Sequence, residues 1–156
     1  MTARKKLVLG TVASLLALVL LGFAMLSLFS KAPATLGVHD GRLSPCPSSP
    51  NCVCSYDDDK RHAIDTLKTH DDPSADLDRL VQIIEKLPRT KVVTQAENYL
   101  HVEFTSLIFR FVDDVEFLVD SEQGKIHVRS ASRVGYSDMG VNRRRIEHIR
   151  TLWNAE

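Results

Sequence analysis

The sequence lacks the short motifs that mark the common kinds of catalytic site. It contains no Gly-x-Ser-x-Gly nucleophile motif, no phosphate-binding loop, no His-Glu-x-x-His zinc motif and no Gly-x-Gly-x-x-Gly dinucleotide motif. Aromatic residues make up only 6% of the chain and are not interleaved with basic residues, as they would be on a nucleic-acid-binding surface. We therefore expect no nucleic-acid partner, no cofactor and no metal ion, and we favour binding over catalysis.

The chain also lacks a net charge, although its charges are unevenly distributed. Its 20 basic and 20 acidic side chains balance over 156 residues. The first thirty residues contain Arg4, Lys5 and Lys6 and no acidic residue, which leaves 17 basic against 20 acidic side chains, a charge of −3, for the rest. A mildly acidic body is a second argument against nucleic acid as the main partner.

One long apolar run lies near the amino end. Residues 7–29 are 23 consecutive residues without a charge, and at about 1.5 Å per residue a helix of that length spans the roughly 30 Å hydrocarbon core of a bilayer. A cleaved signal peptide is the competing interpretation, because Arg4, Lys5 and Lys6 precede the run and residues 32–34 loosely match a cleavage site. The run is longer than the about 7–15 residues usual in a signal peptide. We therefore predict a retained transmembrane helix in contact with the lipid bilayer.

The charges that flank the apolar run predict its orientation. Three cations precede it, Lys31 and Arg42 are the next basic residues after it, and the more basic flank normally stays in the cytoplasm. We predict a single-pass protein of the inner membrane with a cytoplasmic amino end and a periplasmic body. The predicted organisation is a stub and anchor at residues 1–30, a linker rich in proline and glycine at residues 31–45, and a globular domain at residues 46–154.

Three cysteines, Cys46, Cys52 and Cys54, lie close together after the predicted linker. In an oxidising compartment two such thiols usually form a disulfide, and closing the Cys46–Cys52 loop would stabilise the fold by roughly 2 kcal/mol. A bridge between Cys52 and Cys54 would be strained in an extended segment, so we expect Cys54 to be free or to compete for Cys46. The alternatives are a zinc site formed by the three thiols with His62, whose spacing is not typical of zinc ligands, and a redox role.

Helix and strand signals alternate along the rest of the chain. Asp72 and Pro73 predict the start of a helix whose apolar residues recur at helical spacing until Pro88 ends it. Residues 91–95 and 99–105 are strand candidates, and residues 106–112 are extended but irregular, with a bend or bulge. We predict an α+β fold, an antiparallel sheet of about four to five strands with two flanking helices, preceded by the transmembrane helix.

Alternating apolar residues on both sides of Gly124 predict a β-hairpin with a definite register. Both apolar sets can face one core only if the numbers of opposed residues sum to an odd value, and a symmetric turn gives 245, which places Val119 opposite Ile126 and Val115 opposite Ser130. The opposite face, which we expect to be exposed to solvent, then carries cross-strand pairs formed by four charged residues: Asp114, Glu116, Arg129 and Arg133.

The same register makes one end of the core face polar. Asp113, Ser130 and Ser132 take positions where apolar residues would continue the ladder, so they require partners or a ligand. Backbone N–H groups are the expected partners of the Asp113 carboxylate if the cluster is structural. Asp113 is therefore the first candidate for a functional site.

A second amphipathic helix is predicted near the carboxyl end. Ser137 or Asp138 can cap it, and its apolar stripe contains Ile146, Ile149 and either Leu152 or Trp153. The arginine triplet at residues 143–145 is expected to be solvated or to form salt bridges with Asp114, Glu116 and Asp138, and binding of an anionic ligand or of lipid headgroups is the alternative.

Three stretches, CPSSPNCVCS, YLHVEFTSLIFRFVDDVEFLVD and IHVRSASRVGYSDMGVNRRRIEHIR, closely resemble the DUF1499 family over about residues 43–150. The family has no agreed activity, so the resemblance implies no catalytic assignment. Cys46 and Cys52 match cysteines of the family pattern and Cys54 replaces a serine, which implies a Cys46–Cys52 disulfide and no family role for Cys54. The pattern also matches His101, Phe111, Asp113, Asp114, Glu116, Arg129, Ser130, Ser132, Arg133, Gly135, Tyr136, Asp138, Gly140, Asn142 and Arg144.

Two function classes follow from these residues. The first is a membrane-tethered binding module for a protein partner or an anionic small ligand. Its expected binding residues are Asp113, Arg129, Ser130, Ser132, Arg133, Tyr136, Asp138, Asn142 and Arg144. The second is a hydrolytic enzyme in which Asp113 or Asp114 acts with His101 as acid and base, although a half-exposed strand position is the simpler explanation of His101.

Overall fold

A computed structural model of the chain describes residues 2–28, 30–70 and 72–155, so Met1 and Phe29 of the predicted anchor lie outside the described residues. Within these ranges the chain forms three helices and eight strands, which confirms the predicted α+β class. The helices are α1 (Ala3–Leu28), α2 (Pro73–Glu85) and α3 (Val141–Ala155). The strands are β1 (Val38–His39), β2 (Arg42–Leu43), β3 (Cys52–Cys54), β4 (Leu67–Lys68), β5 (Thr90–Ala96), β6 (Tyr99–Thr105), β7 (Val112–Asp120) and β8 (Lys125–Ser132).

Six of these strands form one antiparallel sheet, somewhat more than the four to five predicted. Its order is β3-β8-β7-β6-β5, and β4 pairs with β8 beside β3. The β7–β8 hairpin has the predicted register, with Val119 opposite Ile126 and Val115 opposite Ser130. Residues 106–111 form a loop instead of an extended segment and contain the predicted bend, at residues 107–109, and a further irregularity of the sheet lies in β5, between Val92 and Thr94.

The two flanking helices cover one face of the sheet, which we call the core face. Asp72 caps α2 as predicted, because its side chain accepts hydrogen bonds from the backbone N–H groups of Ser74 and Ala75. Asp138 likewise accepts from the N–H of Asn142 at the start of α3. Trp153 of α3 is fully buried in the core, together with Leu77, Leu80, Ile84, Leu100, Val115, Phe117, Ile126, Val128, Ile146 and Ile149.

The opposite face of the sheet is also covered, contrary to the expectation that it faces solvent. The segment predicted to be a linker without regular structure contains the β1–β2 hairpin, whose Asp40-Gly41 turn has positive φ at both residues. Leu43 of β2 is buried, and the backbone N–H of Gly37 donates to Glu116 in β7. The charged residues of this face are therefore enclosed between the sheet and residues 35–47, and we call it the charged face.

Every described side chain of the amino-terminal helix is exposed. Its Arg4–Phe23 segment is long and apolar enough to cross a membrane, although a signal sequence would satisfy the same criteria of length and composition. Its carboxyl end leads into residues that run over the charged face of the sheet.

Candidate functional site

The predicted site residues separate into two clusters on opposite faces of the sheet. Asp113, Ser130 and Ser132 lie on the core face, whereas Asp114 and Arg129 lie on the charged face. This separation follows from the pleat of β7, because adjacent residues of a strand point to opposite sides. Asp113 and His101 consequently lie on different faces and do not form a pair.

The core-face cluster is organised by Arg145, which closes over the end of β7. Its Nη2 donates to Asp113 Oδ2 at 2.5 Å, and its Nη1 donates to the Asn142 side-chain oxygen at 2.6 Å. The guanidinium also lies over the Phe104 ring, 4.7 Å from its centroid. Arg145 thus replaces the backbone partners expected for Asp113, and it forms a salt bridge as predicted for the triplet, but with Asp113 instead of Asp114, Glu116 or Asp138.

Asn142 connects this cluster to the disulfide loop. It is fully buried, accepts from the Ser130 hydroxyl at 2.6 Å and donates to the backbone oxygen of Asn51 at 2.9 Å. Asn51 in turn donates to the backbone oxygens of Ser132 and Gly135. Because these buried polar groups satisfy one another, the core-face cluster fastens residues 46–51 to α3 and β8. The sequence singled out neither Asn51 nor Arg145 as a site residue.

The charged face contains a network centred on Asp114. Arg133 holds this carboxylate with two hydrogen bonds, from Nε at 2.8 Å and from Nη2 at 2.6 Å, and also donates to Glu103 at 2.5 Å. His101 Nε2 lies 2.8 Å from Asp114 Oδ1, the oxygen that also accepts from Arg133 Nη2. His101 is only 5% exposed, so the prediction that it is a half-exposed strand residue is wrong.

Glu116 is the second centre of the charged face and is completely buried. Its Oε2 accepts from Arg129 Nη1 at 2.9 Å, while its Oε1 accepts from the Tyr99 hydroxyl and the Gly37 N–H, each at 2.8 Å. Three donors thus satisfy the oxygens of this buried carboxylate. The segment at residues 31–45, which contains the β1–β2 hairpin, therefore supplies a hydrogen-bond donor to the buried Glu116 carboxylate.

On the charged face the pKa of Asp114 is lowered and the pKa of Tyr99 is raised. Burial alone would raise the pKa of Asp114, but the hydrogen bonds from Arg133 and His101 hold this pKa below its ordinary value of 3.8. Burial, followed by the negative charge of Glu116, raises the pKa of Tyr99 well above its usual range. Asp114 is therefore an anion at neutral pH, and Tyr99 is a neutral hydrogen-bond donor.

A cleft of about 290 Å³ opens over this network. Its floor contains Asp114, Arg129 and Arg133, together with Ala131 of β8. Its walls come from the segment after α1 and from the disulfide loop: Pro33, Thr35, Pro45, Cys46 and Pro47. A more open cavity of about 440 Å³ lies at the opposite end of the sheet, beside the β7–β8 turn, where it is lined by exposed residues such as Ser121 and Glu122.

Arg129 distinguishes the 290 Å³ cleft from the larger cavity. Its side chain lines the cleft although the residue is only 4% exposed. One N–H group, on Nη1, donates to Glu116, whereas the buried Nε has no hydrogen-bond partner among the residues that the structure describes. An unsatisfied buried donor typically costs about 1–3 kcal/mol, so an acceptor at Arg129 would stabilise the site.

The remaining predicted binding residues lie outside both clusters. The Tyr136 side chain is exposed, in the loop between β8 and α3. Asp138 caps α3, and Arg144 donates to the backbone oxygen of Met139. Arg143, the first member of the triplet, donates to the backbone oxygen of Arg61.

The cysteines form the expected disulfide and leave one thiol buried. Cys46 and Cys52 are bonded, with their Cα atoms 5.6 Å apart. Cys54 is fully buried, and this burial raises the pKa of its thiol. His62 lies 3.0 Å from the backbone oxygen of Cys52 through Nδ1, and no group of three or more metal-binding side chains occurs within the described ranges.

The sequence model of the DUF1499 family, a protein family of unknown function, matches residues 42–152. The chain therefore belongs to the DUF1499 family. Searches of the curated proteins and of the solved structures found no significant match. The family match begins in β2 and ends in α3, so it includes the sheet and both flanking helices.

Proposed function

We propose that the protein is a membrane-anchored, extracytoplasmic binding module whose ligand occupies the cleft over Arg129 and Arg133. The observation that carries this proposal is the environment of Arg129, a nearly buried guanidinium that lines a cleft and retains a donor without a partner. A ligand that offers an acceptor to this guanidinium would offset the cost of the unsatisfied group.

The anchoring part of the proposal is supported by the amino-terminal sequence. The apolar span at Arg4–Phe23 begins at a cluster of three basic residues, which favours a cytoplasmic amino end and a body on the other side. The Cys46–Cys52 disulfide is the form expected in an oxidising compartment such as the periplasm. We therefore place the body outside the cytoplasm and the anchor in the inner membrane.

The composition of the cleft indicates the chemistry of its ligand. Prolines supply apolar walls, while the floor holds Ala131, the cationic groups of Arg129 and Arg133, and the Asp114 carboxylate that Arg133 binds. An arginine can donate up to about five N–H groups to planar oxygen acceptors. The ligand that fits is a molecule with an anionic carboxylate or phosphate group and an adjoining apolar part, either a lipid or a small organic acid.

This proposal can be tested by native mass spectrometry of the full chain extracted from its membrane. Ala131→Met would fill the cleft with a flexible apolar side chain while leaving every ion pair of the floor intact. Ser121→Met is the matched control, because it adds the same side chain beside the 440 Å³ cavity. We expect a bound anionic molecule on the wild type and on Ser121→Met, and its loss from Ala131→Met.

The mass of the bound species distinguishes the two sources of the anion. A mass that fits a phospholipid identifies a headgroup ligand, and a mass of a few hundred daltons identifies a small acid. A wild-type protein without any bound molecule, or a ligand retained by Ala131→Met, would contradict the proposal. A bound protein chain instead of a small molecule would favour a protein partner over a ligand in the cleft.

A hydrolytic function that uses His101 and Asp114 is the second candidate. It is favoured by the 2.8 Å contact between His101 Nε2 and Asp114 Oδ1, the geometry in which a carboxylate orients a general base. Both oxygens of Asp114 also accept from Arg133, which favours a positioning role for this carboxylate. Hydrolysis of ester substrates that is present in the wild type and lost in His101→Gln would support this alternative.

A further inference from the structure

We propose that the loop between β6 and β7, residues 106–111, inserts into the outer leaflet of the membrane that α1 spans. This inference rests on the anchoring proposed above, but it concerns a second contact with lipid, made by the folded body itself. It does not depend on the ligand of the cleft.

The β6–β7 loop is a short protrusion with a fixed base. The backbone N–H of Ser106 donates to the oxygen of Phe111 at 2.8 Å, and the N–H of Phe111 donates to the Ser106 hydroxyl at 2.9 Å. Arg110 has a φ of 58°, in the left-handed region that tight turns use. The two hydrogen bonds close the base, so the four residues between them project from the end of the sheet.

Three of the four projecting residues, Leu107, Ile108 and Phe109, are apolar where a loop in water would be polar, and the exposed Arg110 is the fourth. Leu107 is 69% exposed and its neighbour Ile108 is 73% exposed. Phe109 and Phe111 follow, and their rings stack with centroids 5.5 Å apart. Adjacent exposed aliphatic side chains on a rigid turn are typical of a surface that is covered by a partner or a membrane.

The contact between this loop and α1 identifies the membrane as the partner. The Phe23 ring lies 5.1 Å from the Phe109 ring and 6.0 Å from the Phe111 ring, measured between centroids. Phe23 is the last residue of the apolar Arg4–Phe23 span, and α1 continues to Leu28, about 7.5 Å further along the helix axis. If the span lies in the bilayer, the loop that touches Phe23 reaches the same depth.

The orientation of the sheet agrees with this placement. Three elements lie at one end of the sheet: the β6–β7 loop, the end of β8 and the start of the chain segment after α1. The loop lies there because Thr105 pairs with Val112, and the segment after α1 lies there because Arg133 Nη1, just after β8, is 3.5 Å from the Ser30 oxygen. The β7–β8 turn lies at the other end, and the nine residues of β7 separate the two ends by about 30 Å. Insertion of the loop would therefore stand the sheet upright on the membrane, with the cleft near the lipid surface.

Tryptophan fluorescence of the reconstituted full chain can test the insertion. Ile108→Trp would be placed in vesicles of phosphatidylcholine and phosphatidylglycerol, with and without bromine on the acyl chains, because bromine quenches tryptophan only at short range. Glu122→Trp at the opposite end of the sheet is the matched control, and Leu16→Trp reports on the anchor itself. The native Trp153 is fully buried in the core, so the wild type supplies the background signal.

We expect brominated lipid to quench Ile108→Trp and Leu16→Trp severalfold and to leave Glu122→Trp at the wild-type level. Quenching of Leu16→Trp without quenching of Ile108→Trp would overturn the loop insertion and leave the anchoring intact. Absence of quenching in both would overturn the anchoring, and the insertion with it. A blue-shifted Ile108→Trp emission that bromine does not quench would show that protein covers the loop, which also refutes the insertion.

Discussion

Replacement of Arg129 by methionine tests whether the charged face is buried, as the structure has it, or exposed, as the strand pattern predicts. Arg129→Met keeps most of the side-chain volume but leaves the Glu116 carboxylate, which is fully buried, without its cationic partner. Breaking a buried ion pair by removing one partner typically costs about 3–5 kcal/mol, whereas an exposed pair contributes about 0–1 kcal/mol. The two interpretations therefore differ by several kcal/mol in the free energy of unfolding.

Lys91→Met provides the matched control on the same face of the same sheet. Lys91 Nζ lies 3.9 Å from Glu103, but its side chain is 73% exposed, so its loss should cost less than about 1 kcal/mol. Glu116 retains the Tyr99 and Gly37 donors in Arg129→Met, which places the expected loss at the lower end of the range, about 3 kcal/mol. The double variant Glu116→Gln, Arg129→Met removes the uncompensated charge and should recover part of this loss.

Urea denaturation followed by Trp153 fluorescence measures these differences in detergent-solubilised full chain. We expect the unfolding midpoint of Arg129→Met to fall far below that of Lys91→Met at equal slope. Equal midpoints for the two variants would refute the burial of the Glu116–Arg129 pair. A double variant less stable than Arg129→Met would contradict the assignment of the loss to an uncompensated charge.

Three further predictions concern titration and the thiols. Burial alone would raise the pKa of Asp114, but the hydrogen bonds led by Arg133 hold its native pKa below 3.8, so its contribution to the free energy of unfolding should be complete above about pH 4 and be lost as the pH falls below 3.8. Asp114→Asn should reduce the dependence of the free energy of unfolding on pH in acid denaturation, and an unchanged dependence would contradict the shift. Cys46→Ser should lower the free energy of unfolding by about 2 kcal/mol in urea melts by opening the short disulfide loop, and a loss well under 1 kcal/mol would count against a stabilising bridge. Cys54 should resist alkylation by iodoacetamide in the folded chain and react on unfolding, because burial raises the pKa of its thiol; rapid labelling of the folded chain would revive a redox role.

The strand register could be predicted from the sequence because it depends on local alternation. Val119 and Ile126 flank a turn that contains Gly124, and a symmetric turn pairs the two strands so that their apolar residues share a face. Asp72 and Pro73 predicted the start of α2 for a similar reason, since capping involves residues two or three positions apart. Within the described residues these local signals also yield the α+β class.

What lies over each face of the sheet could not be predicted from alternation. The alternation shows that Glu116 and Arg129 share a face of the sheet. Whether that face is exposed to solvent depends on a segment distant in sequence, and here the segment that contains Gly37 and Leu43 covers it. The Asp40-Gly41 dipeptide is a known signal for a tight β-hairpin, and it could have revealed structure in the predicted linker. The division of the chain into anchor, linker and domain stays a prediction.

The hydrogen-bond partners of the candidate residues could not be predicted either, because they come from elements far apart in the chain. Asp113 binds Arg145, which is 32 positions away on α3, and Asn142 reaches Asn51 across 91 positions. Strand pairing places polar groups on one face, but only the docking of α3 selects which of the three adjacent arginines points inward. The predicted strand pairing therefore located the polar cluster, but it could not show what the cluster does.

The most direct test of the central claim is the intact mass of the protein extracted from its membrane without a reducing agent. If α1 is a retained anchor that holds the body in an oxidising compartment, the mass includes the anchor together with the body, less the hydrogen atoms lost in forming the Cys46–Cys52 bond. A chain shortened by the loss of residues up to about the Ala32–Ala34 region would show that the helix is a cleaved signal peptide. A full-length chain with all three thiols reduced would place the body in a reducing compartment and contradict the proposed topology.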